Sequence, residues 1–538
     1  PKPEDLQKYL AGELVEPQKP IIIYIDPATP KKWVPYLIAG VNDWQKAFEK
    51  AGFKNAIIGL EAPDDPTWSL EDARHSAIVY KASDIANASG PHVHDPRSGE
   101  ILETHINWYH NVMNLLHNWY LIQASPSDKG ARKPQFDDEL MGQLIRFVSS
   151  HEVGHTLGLR HNFVSSATVP VEKLRDKTWV EANGHTPSIM DYARFNYVAQ
   201  PEDNIGQAGL FPRIGIYDEW AIEWGYRYRP EFATPEDEIP FNNKLIINKL
   251  KSDIRYMFGT EQDPDDPRYQ SEAIGDNAML ASDYGVKNLK FIMPNVIAWT
   301  KEPDKNYDKA ASLYSEIVSQ WGRYAGHVAK YIAGIYRTPI TVEQIDEKAE
   351  EFVPANLQKE AMQYLDKQVF ATPEWLIDKT LVEKAAVNPI TAIGAVQKRT
   401  IDRLISRSTI DKLVRGEIYN GKVAYTVDDL FRDLKKSVWS ELSSGKQIDI
   451  YRRNLQKSYV DDLIALIAPP SNNQNITFSG GAIIVSTGST QSDAPGIARV
   501  QLMDLQKSIK SAAASASGIK RSHLIDLDAK IKKALDPK

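Results

Sequence analysis

Residues 151–161 read HEVGHTLGLRH, and no other stretch of the 538-residue chain narrows what it can fold into as much. Histidines at i and i+4 sit one turn apart on the same helix face, so His151 and His155 can both turn an imidazole toward one ion. The stripe ahead of them, Leu140, Leu144, Phe147 and Val148, runs straight into these two positions, so histidines stand where core residues would. Asp137 is the expected N-cap of that helix. Gly158 can adopt positive φ and end it, letting the chain turn so that His161 brings a third nitrogen. Glu152 neighbours the first histidine, within reach of a water on the ion and not itself a ligand. The chain has no cysteine, so a metal must be held by His, Asp or Glu. Three nitrogens with a fourth position open describe a catalytic zinc site. With 12 His and 30 Gly in 538 residues, this spacing of three His and one Gly arises by chance roughly 3 × 10⁻⁴ times per chain. A helix with ordinary core histidines is therefore the weaker explanation.

The rest of the composition excludes more than it suggests. Sixty-four Lys and Arg against 71 Asp and Glu give a net charge of −7, too balanced for a nucleic-acid footprint. No apolar run approaches the ~18 residues of a membrane span. The length calls for several packed units. The chain opens PKPEDLQKYL, without initiator Met or signal peptide, as expected of a piece of something longer.

Strand and helix signals alternate over the first 200 residues. IIIYI (21–25), AIIGLE (56–61) and SAIVYKA (76–82) read as strands, with a helix from Val34 to Ala51 that stops at Gly52. GPHVHDPRSGEILETHINW (90–108) reads as an edge hairpin around the turn Asp95–Gly99, followed by a helix from about Trp108 to Gln123. From about residue 215 the periodicity is helical, over 217–228, 244–258, 286–300, 307–336, 356–370, 397–415, 427–443, 449–467 and 495–534. Two stretches interrupt it: an acidic, turn-rich loop at 263–277 and a polar, flexible insertion at 469–496.

The eleven-residue motif, followed by SIMDY (Ser188 to Tyr192), resembles the metzincin clan of zinc endopeptidases. The resemblance implies that Met190 forms a hydrophobic floor beneath the zinc. It also implies that Tyr192 occupies the position that carries a metal-side tyrosine in the astacin-like and serralysin-like branches, where the phenol stabilises the oxyanion. HEVGHTLGLRHNF, the DPRSGEIL turn and the helical C-terminal half are similar to a family of large bacterial zinc-dependent metalloproteases. That likeness implies an extracytoplasmic protein, secreted, periplasmic or attached to the cell envelope, with further domains or a propeptide upstream. By analogy with the clan, a peptide substrate would pair with an edge strand at His92, Val93, His94 and Asp95.

Other residues carry weaker signals. His92 and His94, with His75 or His105, could form a second metal site or simply lie on an exposed strand. His110 and His117 share a helix face, where packing or exposure is favoured over ligation. His185 could line the cleft or contact substrate. Asp191 and Asn162 could hydrogen-bond around the site or serve only their turns. The acidic loop offers oxygens for Ca²⁺ but lacks a recognised spacing.

These readings converge on a metzincin-like α/β catalytic domain with a twisted mixed sheet at residues 20–232, a lead-in at 1–19, and a mostly α-helical region at 233–538. The expected function is zinc-dependent endoproteolysis, with Glu152 activating a zinc-bound water against a protein or peptide substrate. The alternatives are a catalytically inactive zinc-bearing binding protein on the same fold, and hydrolysis of a non-peptide amide.

Overall fold

The computed structural model describes residues 1–260, 263–468, 475–479, 482–486 and 492–536. The chain divides into two compact units. The first comprises residues 1–264, 268–317 and 341–346; the second comprises 265–267, 318–340 and 347–538. The division expected at 232/233 falls inside the first unit, because the chain after it continues to fold with the α/β part.

In the first unit the apolar run Ile21–Ile25 forms β1, an inner strand of a mixed sheet. The helical stretch after it is two helices, α1 (Val34–Asn42) and α2 (Gln45–Lys50), rather than one. Asp43, at the break, binds Arg146 and Ser150 with its carboxylate. Gly52, with φ +96°, follows α2 as expected. Strands β2 (Ile57–Glu61) and β3 (Ser76–Lys81) both pair in parallel with β1, so α1 and α2 make a β-α-β crossover. The five-stranded order places β2 at one edge, then β1, β3, β7 (His105–Tyr109) and β4 (Ala88–Ser89). Only β4 runs antiparallel.

Two expectations about the edge are corrected. The sheet ends in Ala88–Ser89, not in His92–Asp95. Val93–His94 (β5) instead forms a separate two-stranded ribbon with Ile101–Glu103 (β6), closed by the turn whose Gly99 has φ +74°. Residues 105–109, read as hairpin arm and helix start, are β7, parallel to β3, so α3 begins only at Val112 and ends at Ala124.

Helix α4 (Asp138–Thr156) carries the histidines. The Asp137 side chain caps it by accepting from the Leu140 N–H at 2.9 Å, and its Leu140, Leu144, Ile145 and Val153 join a core with Ile23, Leu37, Trp44, Ile78 and Ile106. Helix α5 (Ile216–Tyr226) and two further helices, α6 (Pro235–Ser252) and α7 (Ala278–Ile292), complete this unit's longer elements. α6 starts nine residues before the periodicity expected at 244, because Thr234 and Asp237 cap each other around Pro235.

The second unit is helical with two short antiparallel pairs, Ile335–Arg337 with Glu350–Phe352 and Asn475–Ser479 with Ala482–Ser486. The rest of the expected insertion, 469–474, 480–481 and 487–491, lies outside the described residues. Two periodic stretches are broken by caps. Ser406 accepts from the Thr409 N–H and separates Pro389–Leu404 from Arg407–Asn420, and Gly518, with φ +57°, opens the last helix after Ala494–Ser515. Arg452 sits buried in this unit, paired with Glu441 and donating to the Phe370, Ser437 and Val438 carbonyls. Removing either member of that pair would strand a buried charge, at a cost of roughly 3–5 kcal/mol.

Candidate metal centre

Helix α4 ends as its sequence requires. The Gly158 N–H donates to the His155 carbonyl at 3.0 Å and the Leu159 N–H to the Gly154 carbonyl at 3.1 Å, a Schellman closure that needs a left-handed residue, and Gly158 has φ +89°. The reversal carries His161 back to the helix face. His151, His155 and His161 then present ligand nitrogens all within 4.8 Å of one another. Among the described residues no other group of three His, Asp or Glu comes together in this way.

The tautomers follow from the partners. His151 Nδ1 lies 2.8 Å from the Ile189 carbonyl and His155 Nδ1 lies 2.9 Å from the Leu159 carbonyl. A carbonyl only accepts, so both Nδ1 atoms carry the proton and both Nε2 atoms hold the lone pair. His155 Nε2 is 3.1 Å from His161 Nε2. Two imidazoles bound tetrahedrally at ~2.0–2.1 Å would place their nitrogens roughly 3.3–3.4 Å apart, close to that separation. His151 Nε2 is buried and has no hydrogen-bond partner, and burial holds the ring well below its usual pKa, hence neutral. A buried lone pair left without a donor is what a metal ligand looks like before the ion is added, and three neutral imidazoles suit zinc.

Glu152 is buried, and burial pushes its carboxyl up to about 7, against the Gly90 N–H, which favours the ionised form. Gly90 immediately follows β4, so the edge strand and the carboxylate meet. The cleft beside the histidines, about 530 Å³, is lined by Ser89 to His92 on one side and by His155, Gly158 to His161 and Thr260 on the other. Tyr192 packs its ring edge-on to His161 and His151, with centroids 4.5 and 5.2 Å away, and stacks on Phe163.

Residues 188–191 of the turn containing Met190 are buried and held from several directions. An added Cβ at Gly154 would lie 2.2 Å from the Met190 sulfur, so this glycine is what lets the sulfur pack against the helix between His151 and His155. Asn162 donates its N–H to the Met190 carbonyl, its side-chain amide donates to the Met257 carbonyl, and its side-chain oxygen accepts from Gly259. Asp191 accepts from the Ser166 N–H and from Thr186, with burial pushing its carboxyl up to about 8. Asp218 of α5 accepts from the Ser188 hydroxyl at 2.6 Å, the Ile189 N–H at 2.7 Å and the Gly215 N–H at 2.8 Å. Asp218, Gly90 and Gly154 were not singled out by the sequence. The only hint at Asp218 was its place at the start of a helix.

The remaining expectations fare unevenly. His92 reaches the cleft, with Nδ1 3.3 Å from the His155 carbonyl, while Val93 and His94 are exposed on the ribbon. His185 does not line the cleft: it is wholly buried, with Nε2 3.0 Å from the Arg194 carbonyl. His75 and His105 do not join His92 and His94, since His105 Nε2 approaches the His75 carbonyl and Glu103. His117 Nε2 lies against the Lys133 carbonyl, and His110 Nδ1 is bonded to Tyr80. The acidic loop, which could equally have been read as a solvated loop, has paired rather than solvated carboxylates at two positions. Asp265 is paired with Lys412 and Arg337, and Glu272 is buried against Arg194.

A sequence model of the Met-zincin family matches residues 133–446, more than half of the chain and the whole of the histidine motif and its Met-containing turn. The chain belongs to the Met-zincin family. No curated protein and no solved structure matches it. The matched region contains the long ligand helix and the Met-containing turn, and the Met-zincin assignment implies zinc binding at the three histidines. Among the described residues of this Met-zincin no helix is long and apolar enough to cross a membrane.

Proposed function

We propose that this protein is a zinc-dependent endopeptidase. The observation that carries the reading is the convergence of three imidazoles, two with their tautomers fixed toward the ion, beside a buried carboxyl raised to about 7. Zinc, when bound, supplies Lewis-acid chemistry, polarising the scissile carbonyl and acidifying water. Glu152 then acts as the base that takes the proton of the attacking water and as the acid that delivers it to the leaving amine. A carboxyl with an affinity near neutrality can hold and release that proton in one turnover. Tyr192, edge-on to His151 and His161, is suited to donate its phenolic hydrogen to the developing oxyanion.

A peptide would be presented by the chain itself. β4 is the last strand of its sheet, so one side of Ala88–Ser89 has no strand partner among the described residues, and Gly90 to His92 continue along the cleft. An extended substrate adding to that edge would lie antiparallel or parallel to it with its carbonyl over the histidines. Glu152→Ala should retain zinc and the fold and lose roughly 10²–10⁴-fold in peptide cleavage. Undiminished cleavage by that variant would sink the mechanism. Absence of chelator-sensitive cleavage in the wild type, on denatured protein and a peptide library, would favour the binding-protein alternative.

A further inference from the structure

A cavity of the first unit that shares no lining residue with the cleft lies behind the Met-containing turn, between α4 and the chain at 207–219. Its volume, about 530 Å³, falls in the range of small-ligand sites. Five charged side chains line it, and four of them cancel. Arg146 is held by Asp43, and Lys46 by Glu219 at 2.9 Å. Arg213 is the exception. It is half-buried, and the only bond from its guanidinium is Nη2 to the Glu181 carbonyl at 2.9 Å. Burial lowers its pKa and no carboxylate raises it. One of five N–H donors is therefore used, and the charge has no counter-ion among the described residues. The same cavity exposes apolar surface from Phe147 and Phe211.

A half-buried guanidinium without a counter-ion, in a cavity that Phe147 and Phe211 also line, suits a ligand with both an anionic and an apolar part. Its fork takes a carboxylate through two parallel hydrogen bonds, and the rings take an apolar body. We propose that this cavity is a second ligand site, which binds a small organic carboxylate through Arg213. The assignment does not depend on the protein being a peptidase. The site has a place from which to influence the metal centre, since its wall includes Ile189, the residue whose carbonyl orients His151.

Benzoate serves as the probe, with inorganic phosphate and benzyl alcohol as comparisons, titrated by calorimetry into the zinc-loaded full chain. The expected result is saturable benzoate binding, with benzyl alcohol and phosphate each at least roughly tenfold weaker. Arg213→Gln should weaken benzoate at least roughly tenfold, and Arg213→Lys should recover part of the loss. If Arg213→Gln fails to fold, Phe211→Ala on the same segment of the lining gives the second test, with an expected loss of benzoate binding and an unchanged zinc content. A para-bromobenzoate soak should place its bromine in this cavity by anomalous scattering. The proposal is overturned by non-saturable benzoate binding, by equal affinity in wild type and Arg213→Gln, by phosphate binding as tightly as benzoate, or by bromine found in the cleft instead.

Discussion

Replacing Gly154 with alanine tests the packing of the metal helix against the Met-containing turn, because two known effects oppose each other there. In an exposed helix interior, Gly→Ala stabilises by about 1 kcal/mol. At position 154 the new Cβ would meet the Met190 sulfur at 2.2 Å and Trp44 Cζ2 at 2.8 Å, where ordinary contacts are ~3.5–4 Å. Both neighbours are fully buried, and Trp44 is tied by its Nε1–H to the Ser150 carbonyl at 2.8 Å. The sulfur would have to move by more than about 1 Å within a buried core, and cores are close-packed. Overpacking of this kind costs roughly 1–3 kcal/mol, so at the upper half of that range the net effect is a destabilisation of about 1–2 kcal/mol.

The displacement should also be felt by the ion, since Ile189 and Met190 carry the carbonyls that orient His151 and the residue after His161. Urea unfolding gives the stability and competition with a chromophoric chelator gives the zinc affinity. Gly225→Ala in α5, where an added Cβ meets nothing within 4 Å, is the control and should be neutral or slightly stabilising. Met190→Ala completes a cycle: alone it should cost roughly 2–5 kcal/mol, and in its background the Gly154→Ala penalty should shrink. Equal or greater stability of Gly154→Ala, together with unchanged zinc affinity, would refute the packing argument.

Three further outcomes are expected. Asp218→Ala strands the buried Ile189 and Gly215 N–H groups and should cost about 2–5 kcal/mol, while Asp218→Asn should cost less because the Ser188 hydroxyl can turn to accept; equal costs in thermal unfolding would argue against this bracing. Stripping the metal leaves His151 Nε2 buried without a partner, so chelation should lower the melting temperature of the first unit and added zinc should restore it in proportion to the logarithm of its concentration; a metal-independent melting curve would contradict the site. In the second unit, burial and then Lys457 and Arg453 hold His523 down to about 4, with its Nε2 bonded to Gln456 at 2.8 Å. The folded pKa lies below the usual value near 6.5, so the neutral ring contributes stability above pH 6.5 that is lost as pH falls from there to about 4. His523→Gln should flatten that limb of the acid unfolding curve, and an unchanged limb would locate the sensitivity elsewhere.

What could be read from the sequence was what is local. The spacing of His151, Glu152, His155, Gly158 and His161 is decided within three helical turns, and the strands at 21, 57 and 76 are apolar runs bounded by turn residues. The edge was misplaced because Ala88–Ser89 is too short to show alternation, whereas HVHD alternates and pairs with Ile101–Glu103. Helices were run together at 405–406 and 516–517 because the periodic stripe continues across a cap. Asp218 and Gly90 reach the site from distant positions, and a single residue has no period to betray it. Asp218 also reads as an ordinary helix-start residue, a role that it fills at Gly215 while its oxygens serve the other turn as well.

That double service changes what the Met-containing turn does. A hydrophobic floor would need only the Met190 side chain. Here the Ile189 carbonyl fixes the tautomer of the first histidine and the Met190 carbonyl takes the N–H of Asn162, directly after the third. The middle histidine is oriented locally, by Leu159. One imidazole, and the backbone directly after another, are therefore held by main-chain atoms of the turn, which is itself held through buried hydrogen bonds by Asp218, Asn162 and Asp191. The requirement at 189 falls on the carbonyl rather than on the side chain, so Ile189→Val should leave zinc affinity intact while a change that shifts the backbone there should not.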